Sequence, residues 1–182
     1  MQCVTRIIVC LTLGISLFAT DGSIWLDVPF VRQQTNGCGA AVISMVVQYW
    51  AKASNRAADG GTDQADIQRE LYRPQAHGIY SSAIVSYLGK HGFQTFAFSG
   101  KWEDLEHHLK RGRPLIVGIK PSPVGLHYVV VTGIDTEEGF LMINDPAQRK
   151  LLKEDRANFQ REWNATDNWT LLALPRQSGL GS

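Results

Sequence analysis

The sequence predicts an α+β fold in which a helical first half packs on an antiparallel sheet built by the second half. Three observations carry that expectation. Amphipathic runs at helical spacing fill residues 38–91, and β-branched and aromatic runs dominate residues 115–174. Between two of those runs, Asp135-Thr136-Glu137-Glu138-Gly139 reads as a hairpin turn, which makes its flanking strands antiparallel neighbours.

The elements follow in chain order. Arg6 precedes Ile7 to Ala19, an apolar core too short for a comfortable membrane span and followed by small and polar residues. Residues 1–22 therefore read as a secretory signal peptide, cut after Ala19 or Gly22, and the chain as exported to the periplasm or the medium. An uncleaved anchor is the alternative, and membrane association is expected only with it. Roughly 160 residues remain, enough for one domain with a real core. That domain is expected over 23–174, with 175–182 as a flexible tail.

Within it, helices are expected from Cys38 to Ala51, Thr62 to Tyr72, Tyr80 to His91 and Trp102 to Arg111. A glycine-rich loop around Asp59-Gly60-Gly61 separates the first two. Thr62-Asp63-Gln64-Ala65 resembles a helix start with a capping side chain. Strands are expected at Phe93 to Phe98, Leu115 to Ile119, Leu126 to Ile134, Phe140 to Asn144 and Trp169 to Leu174. Trp50, Trp102 and Trp163 read as packing residues.

Composition excludes several functions. The 18 Lys and Arg balance 17 Asp and Glu to a formal +1, and the charges are scattered. No nucleic-acid groove or basic membrane-binding face is expected. No Cys/His cluster has zinc spacing, so neither metal nor cofactor is expected.

Of the three cysteines, Cys3 and Cys10 lie in the N-terminal segment and leave with it, so Cys38 remains alone. No intramolecular disulfide is then available in an oxidising space. Cys38 stands at a helix start, where unpaired N–H groups and the positive end of the helix dipole favour a thiolate. It reads as a nucleophile.

His127 opens the run Tyr128-Val129-Val130-Val131 and is the candidate base, while His77 and His91 sit in a loop and at a helix end. The even separation of His127 and Asp145 puts both side chains on one face of the hairpin, in register or one pair off. Asp145 can then accept from one ring nitrogen, fixing the tautomer and leaving the other nitrogen for Cys38 Sγ. Asn144 points the other way. Asp145-Pro146 also suits a strand-ending turn.

These residues together resemble the papain-like cysteine peptidases of the bacteriocin-processing, double-glycine leader peptidase family, especially their stand-alone, secreted relatives. The resemblance runs from about Asp27 to Leu174. It rests on Val28-Pro29-Phe30-Val31-Arg32-Gln33, Cys38-Gly39-Ala40-Ala41, His127-Tyr128-Val129-Val130-Val131 and Asn144-Asp145-Pro146. His77-Gly78-Ile79, Gly112-Arg113-Pro114 and Phe159 with Trp163 match more weakly. The resemblance implies a papain-like fold, a peptide or protein substrate, and a glutamine whose amide joins the nucleophile's own N–H in an oxyanion hole. Gln33 fits that role by the residues preceding it, although it stands one residue closer to Cys38 than the family pattern places it and Gln34 lies beside it. The family's best-known members are fused to exporters that use ATP, whereas this sequence carries no nucleotide-binding motif. A thiol amidase or transpeptidase on the same fold, or a silent peptide-binding module, are the alternative functions.

Overall fold

The computed structural model describes residues 22–54, 62–121 and 125–176. The expected signal segment up to residue 21, the loop at Asp59-Gly60-Gly61 and the tail from residue 177 lie outside the described residues.

The elements run β1 (Ser23–Trp25), α1 (Cys38–Ala53), α2 (Gln64–Leu71), a 3-10 turn (Pro74–Ala76), α3 (Ser81–Lys90), β2 (Phe93–Ser99) and α4 (Trp102–Leu109). Then follow β3 (Leu115–Ile119), β4 (His127–Asp135), β5 (Phe140–Asn144), β6 (Leu152–Asp155), α5 (Arg156–Asn164) and β7 (Trp169–Pro175). No helix among the described residues is long and apolar enough to cross a membrane.

Helix α1 is buried continuously from Gly39 to Val47, because α2, α3 and the sheet surround it. Helix α2 starts on Asp63, whose carboxylate accepts from the N–H groups of Ala65 and Asp66. The cap is thus Asp63, one residue after the expected Thr62, since a carboxylate reaches both orphan N–H groups. The Thr62 carbonyl instead accepts from Ser44 Oγ, tying the start of α2 to α1.

All strands pair antiparallel, in the order β2-β7-β3-β4-β5-β6, and β1 pairs with the far end of β4. Strand β7, late in the chain, thus lies between β2 and β3. Helices cover both faces of the sheet. Tyr128, Val130, Leu171 and Ala173 pack with α1, α2 and α3, while Val129, Val131 and Leu172 pack with α4 and α5. Burial on both faces explains why β3 and most of β4 read as unbroken apolar runs.

The fold class is α+β, with the helical N-terminal half on one sheet face. The other face corrects the simple two-half picture, because β6 and α5 occupy the stretch between Asn144 and Trp169 where no element was expected. Strand β6 is a short, half-exposed edge, and α5 buries only Phe159 and Trp163, so neither carries a strong hydrophobic period. Asp155 caps α5 by accepting from the N–H groups of Ala157 and Asn158.

Candidate active site

Cys38 is the first residue of α1 and is half-buried. Gly37 occupies the N-cap without a capping side chain, and the first turn holds no acidic residue. The positive end of the helix is left facing the thiol. Glycine at position 39 permits close approach of the neighbouring wall, since a Cβ there would lie 2.9 Å from Ile79 Cβ.

The loop before Cys38 is fixed from the sheet side. Asn144 is fully buried and points away from Asp145, as expected, to donate to the carbonyls of Val28 (3.2 Å) and Pro29 (3.4 Å). Gln33 N donates to Pro146 O at 2.9 Å, and the Arg32 guanidinium donates to Gln148 O at 2.9 Å. Gln33 is half-buried and its Oε1 has no partner among the described residues, whereas Gln34 is exposed.

His127 and Asp145 meet on one face, but the hairpin reaches that arrangement by an irregular route. The expected turn began at Asp135; the observed turn covers residues 136–139, and Asp135 pairs with Phe140. Continued straight from that pair, the register would set Asp145 across from Val130 and on the face of Tyr128. A bulge between Val131 and Gly133 leaves Thr132 as the extra residue and moves the pairing to Val131↔Ile143 and Val130↔Asn144. Asp145 then falls across from Val129, one same-face pair from His127. The bulge is held from both sides: Thr132 Oγ1 donates to Met142 O at 3.1 Å, and Leu26 N donates to Thr132 O at 2.8 Å.

His127 Nε2 lies 2.8 Å from Asp145 Oδ1, both side chains being buried. Asp145 also accepts from Ala147 N at 2.8 Å and Gln148 Nε2 at 2.7 Å, so it ends the strand and engages the imidazole at once. Gln148 escaped the sequence reading, although its place three residues after an Asp-Pro turn start was the available signal. The Cys38 thiol lies beside the imidazole, close enough to act on its charge. Burial opposes the charged form of the ring, yet the bond to Asp145 and the negative charge of Cys38 and Asp145 outweigh this and raise His127 to about 9. For Asp145, burial works upward, but the bond to His127, the imidazolium charge and the Ala147 and Gln148 donors bring its pKa below the ordinary carboxylate value.

Cys38 opens onto a cavity of about 320 Å3 walled by His77, Ile79, Tyr80, Leu126 and Tyr128. A second cavity of about 250 Å3 shares Ser81, Leu126 and Tyr128 with the first and extends to Trp169. Tyr80 and Leu126 are about half exposed, at 52% and 49%, so the rim is apolar. His77 is an exposed wall residue with a left-handed backbone, while His91 stacks on Tyr87 and contacts its carbonyl at 2.8 Å. Neither bonds Asp145 as His127 does. The arrangement offers a thiol, an imidazole held by a carboxylate, an uncapped helix start and an extended groove, the parts needed for acyl transfer.

Comparison with solved structures places the fold. The peptidase domain of Streptococcus ComA, a bifunctional ABC transporter involved in quorum sensing, superposes with TM-score 0.63 at 24% identity, over 81% of this chain and 98% of that one. A C39-like peptidase from Bacillus anthracis gives TM-score 0.68 at 18% identity, over 86% and 99%. A double-glycine-motif protease from an AMS/PCAT transporter, solved with its leader peptide, gives 0.61 at 18%, over 83% and 94%. No curated protein matches. The profile of the Peptidase_C39 like family spans residues 25–170, from β1 through the first residues of β7, and by that match the chain belongs to this family of papain-like-fold cysteine peptidases.

Proposed function

We propose that the chain is a cysteine peptidase that hydrolyses a peptide bond in a peptide or protein substrate. The observation that carries this reading is the buried His127–Asp145 pair beside a thiol at an uncapped helix start. With Nε2 engaged by Asp145, Nδ1 of His127 is the nitrogen left to hold the Cys38 proton.

Cys38 Sγ attacks the carbonyl carbon, a C–S bond forms, and the carbonyl π pair moves to oxygen. The Cys38 N–H and the Gln33 amide hold that oxyanion. Collapse breaks the C–N bond, and the leaving amine takes the proton from His127. Water then gives a proton to His127 while its oxygen attacks the thioester, and the C–S bond breaks to release the acid. Asp145 keeps the ring oriented throughout. Export through residues 1–22 belongs to the same reading, and a matured chain in the medium or periplasm checks it.

The test is alkylation of Cys38 by iodoacetamide as a function of pH, in wild type and in His127→Ala. Reaction that persists at about pH 6 in wild type and is lost in the variant supports an activated pair. Peptide turnover should vanish in Cys38→Ala while the fold is retained. A thiol with the same reactivity in both proteins, together with no turnover of a peptide library, overturns the proposal.

A further inference from the structure

We infer that Gln64 is a positioning residue for the oxyanion donor Gln33, an inference that rests on the peptidase reading above. Gln64 is the half-buried first residue of α2. Oriented by its hydrogen bonds, its side-chain amide donates to Arg32 O and accepts from Gln34 N, each at 2.9 Å. Those two groups flank Gln33. With Gln33 N donating to Pro146 O at 2.9 Å, the backbone around this one residue is held at three points, from α2 on one side and from the Asp145 turn on the other.

The side chain of Gln33 has no comparable hold of its own, since its Oε1 is buried without a partner among the described residues. Its direction is therefore set by the backbone, and the backbone by Gln64. The loop from Gln33 to Cys38 is also tight: Gly37 N donates to Gln34 O at 2.9 Å, and Asn36 takes a left-handed conformation with φ 56°. A Cβ at Gly37 would lie 3.0 Å from Gln34 O and 3.2 Å from the end of the Gln64 amide. These contacts hold the short loop between Gln33 and Cys38 closed. The base of the clamp is itself fixed, by the Asp63 cap, by Ser44 Oγ donating to Thr62 O, and by Gln48 Nε2 donating to Ser44 Oγ at 2.9 Å. One turn along α2, Gln68 Nε2 reaches the carbonyls of Thr35 (3.3 Å) and Asn36 (3.4 Å).

Gln64→Ala keeps a good helix former at this position, so the fold is retained. Turnover of a peptide substrate is expected to fall about tenfold in kcat with KM unchanged, as misplacement of a transition-state donor requires. Affinity for a peptide aldehyde, whose adduct with Cys38 carries the oxyanion, should fall in parallel, while alkylation of Cys38 by iodoacetamide stays at the wild-type rate. Gln33→Ala alone should cost about 10²–10³-fold in kcat. In that background Gln64→Ala should cost nothing further, because the residue it positions is gone. The same loss in both backgrounds, a matching loss of alkylation, or no loss in kcat overturns the inference. A wild-type protein that cleaves no peptide overturns the peptidase reading and this inference with it, whereas an active wild type matched by Gln64→Ala overturns only the inference.

Discussion

At the scale of single residues, the site turns on how Asp145 divides its oxygens. Oδ1 meets both His127 and Ala147 N, and Oδ2 receives Gln148, so the carboxylate is locked before it orients the ring. Asp145→Asn keeps an acceptor for Nε2–H but removes the charge. Its alkaline limb in kcat/KM is expected below the wild-type value near 9, because burial then weighs more heavily against the imidazolium. Asp145→Ala loses acceptor and charge together, and turnover should fall on the order of 10²-fold. A pH–rate profile of the three proteins checks both; an unmoved limb in Asp145→Asn would assign the raised imidazole to Cys38 alone. Cys38, His127 and Asp145 were readable in the sequence because each chemistry-bearing side chain sits beside a strong local signal: a helix start, a β-branched run, an Asp-Pro stop. Gln64 was not, since its partners are backbone groups and nothing in residue type announces them.

At the scale of elements, strand β4 carries the decisive irregularity. A regular hairpin with a turn over residues 135–139 would set His127 and Asp145 on a shared face. The protein has a shorter turn and recovers the frame with the bulge at Thr132, a feature that alternation of apolar residues cannot reveal because β4 is buried on both faces. Gly133 is where β1 closes over that bulge: a Cβ there would collide with Trp25 Cε3 and lie 2.7 Å from Ile24 O. Gly133→Ala should displace β1, destabilise the protein by about 1–3 kcal/mol in urea unfolding, and lower kcat as the frame of His127 loosens. Wild-type stability in this variant would show that β1 is not a clamp. Strand β1 itself was invisible in the sequence, being three residues long beside a signal-like segment. Helix α1 was legible from its start at Cys38, marked by the preceding glycine, to Ala51, and it runs on to Ala53.

For the whole molecule, the charged pair ties stability to pH with a defined sign. His127 is raised from 6.5 to about 9, so its contribution is complete below 6.5 and is lost as pH rises through about 9. Asp145 is lowered from 3.8, so its contribution is present above 3.8 and is lost as pH falls below it. The pair stabilises the fold most between these limits. Urea unfolding at about pH 5 and about pH 9.5 should show a fall in wild type that is smaller in His127→Ala; equal falls would mean other groups govern the alkaline side.

The position of β7 has a consequence for the order of events in the cell. Both neighbours of this interior strand, β2 and β3, are made long before it, and among the described residues β2 pairs with no other strand. A chain still being synthesised thus carries Cys38, His127 and Asp145 before it has the central strand that joins its sheet. The thiol is delivered before the scaffold that aims it, and the geometry of the site is complete only on arrival of the last strand.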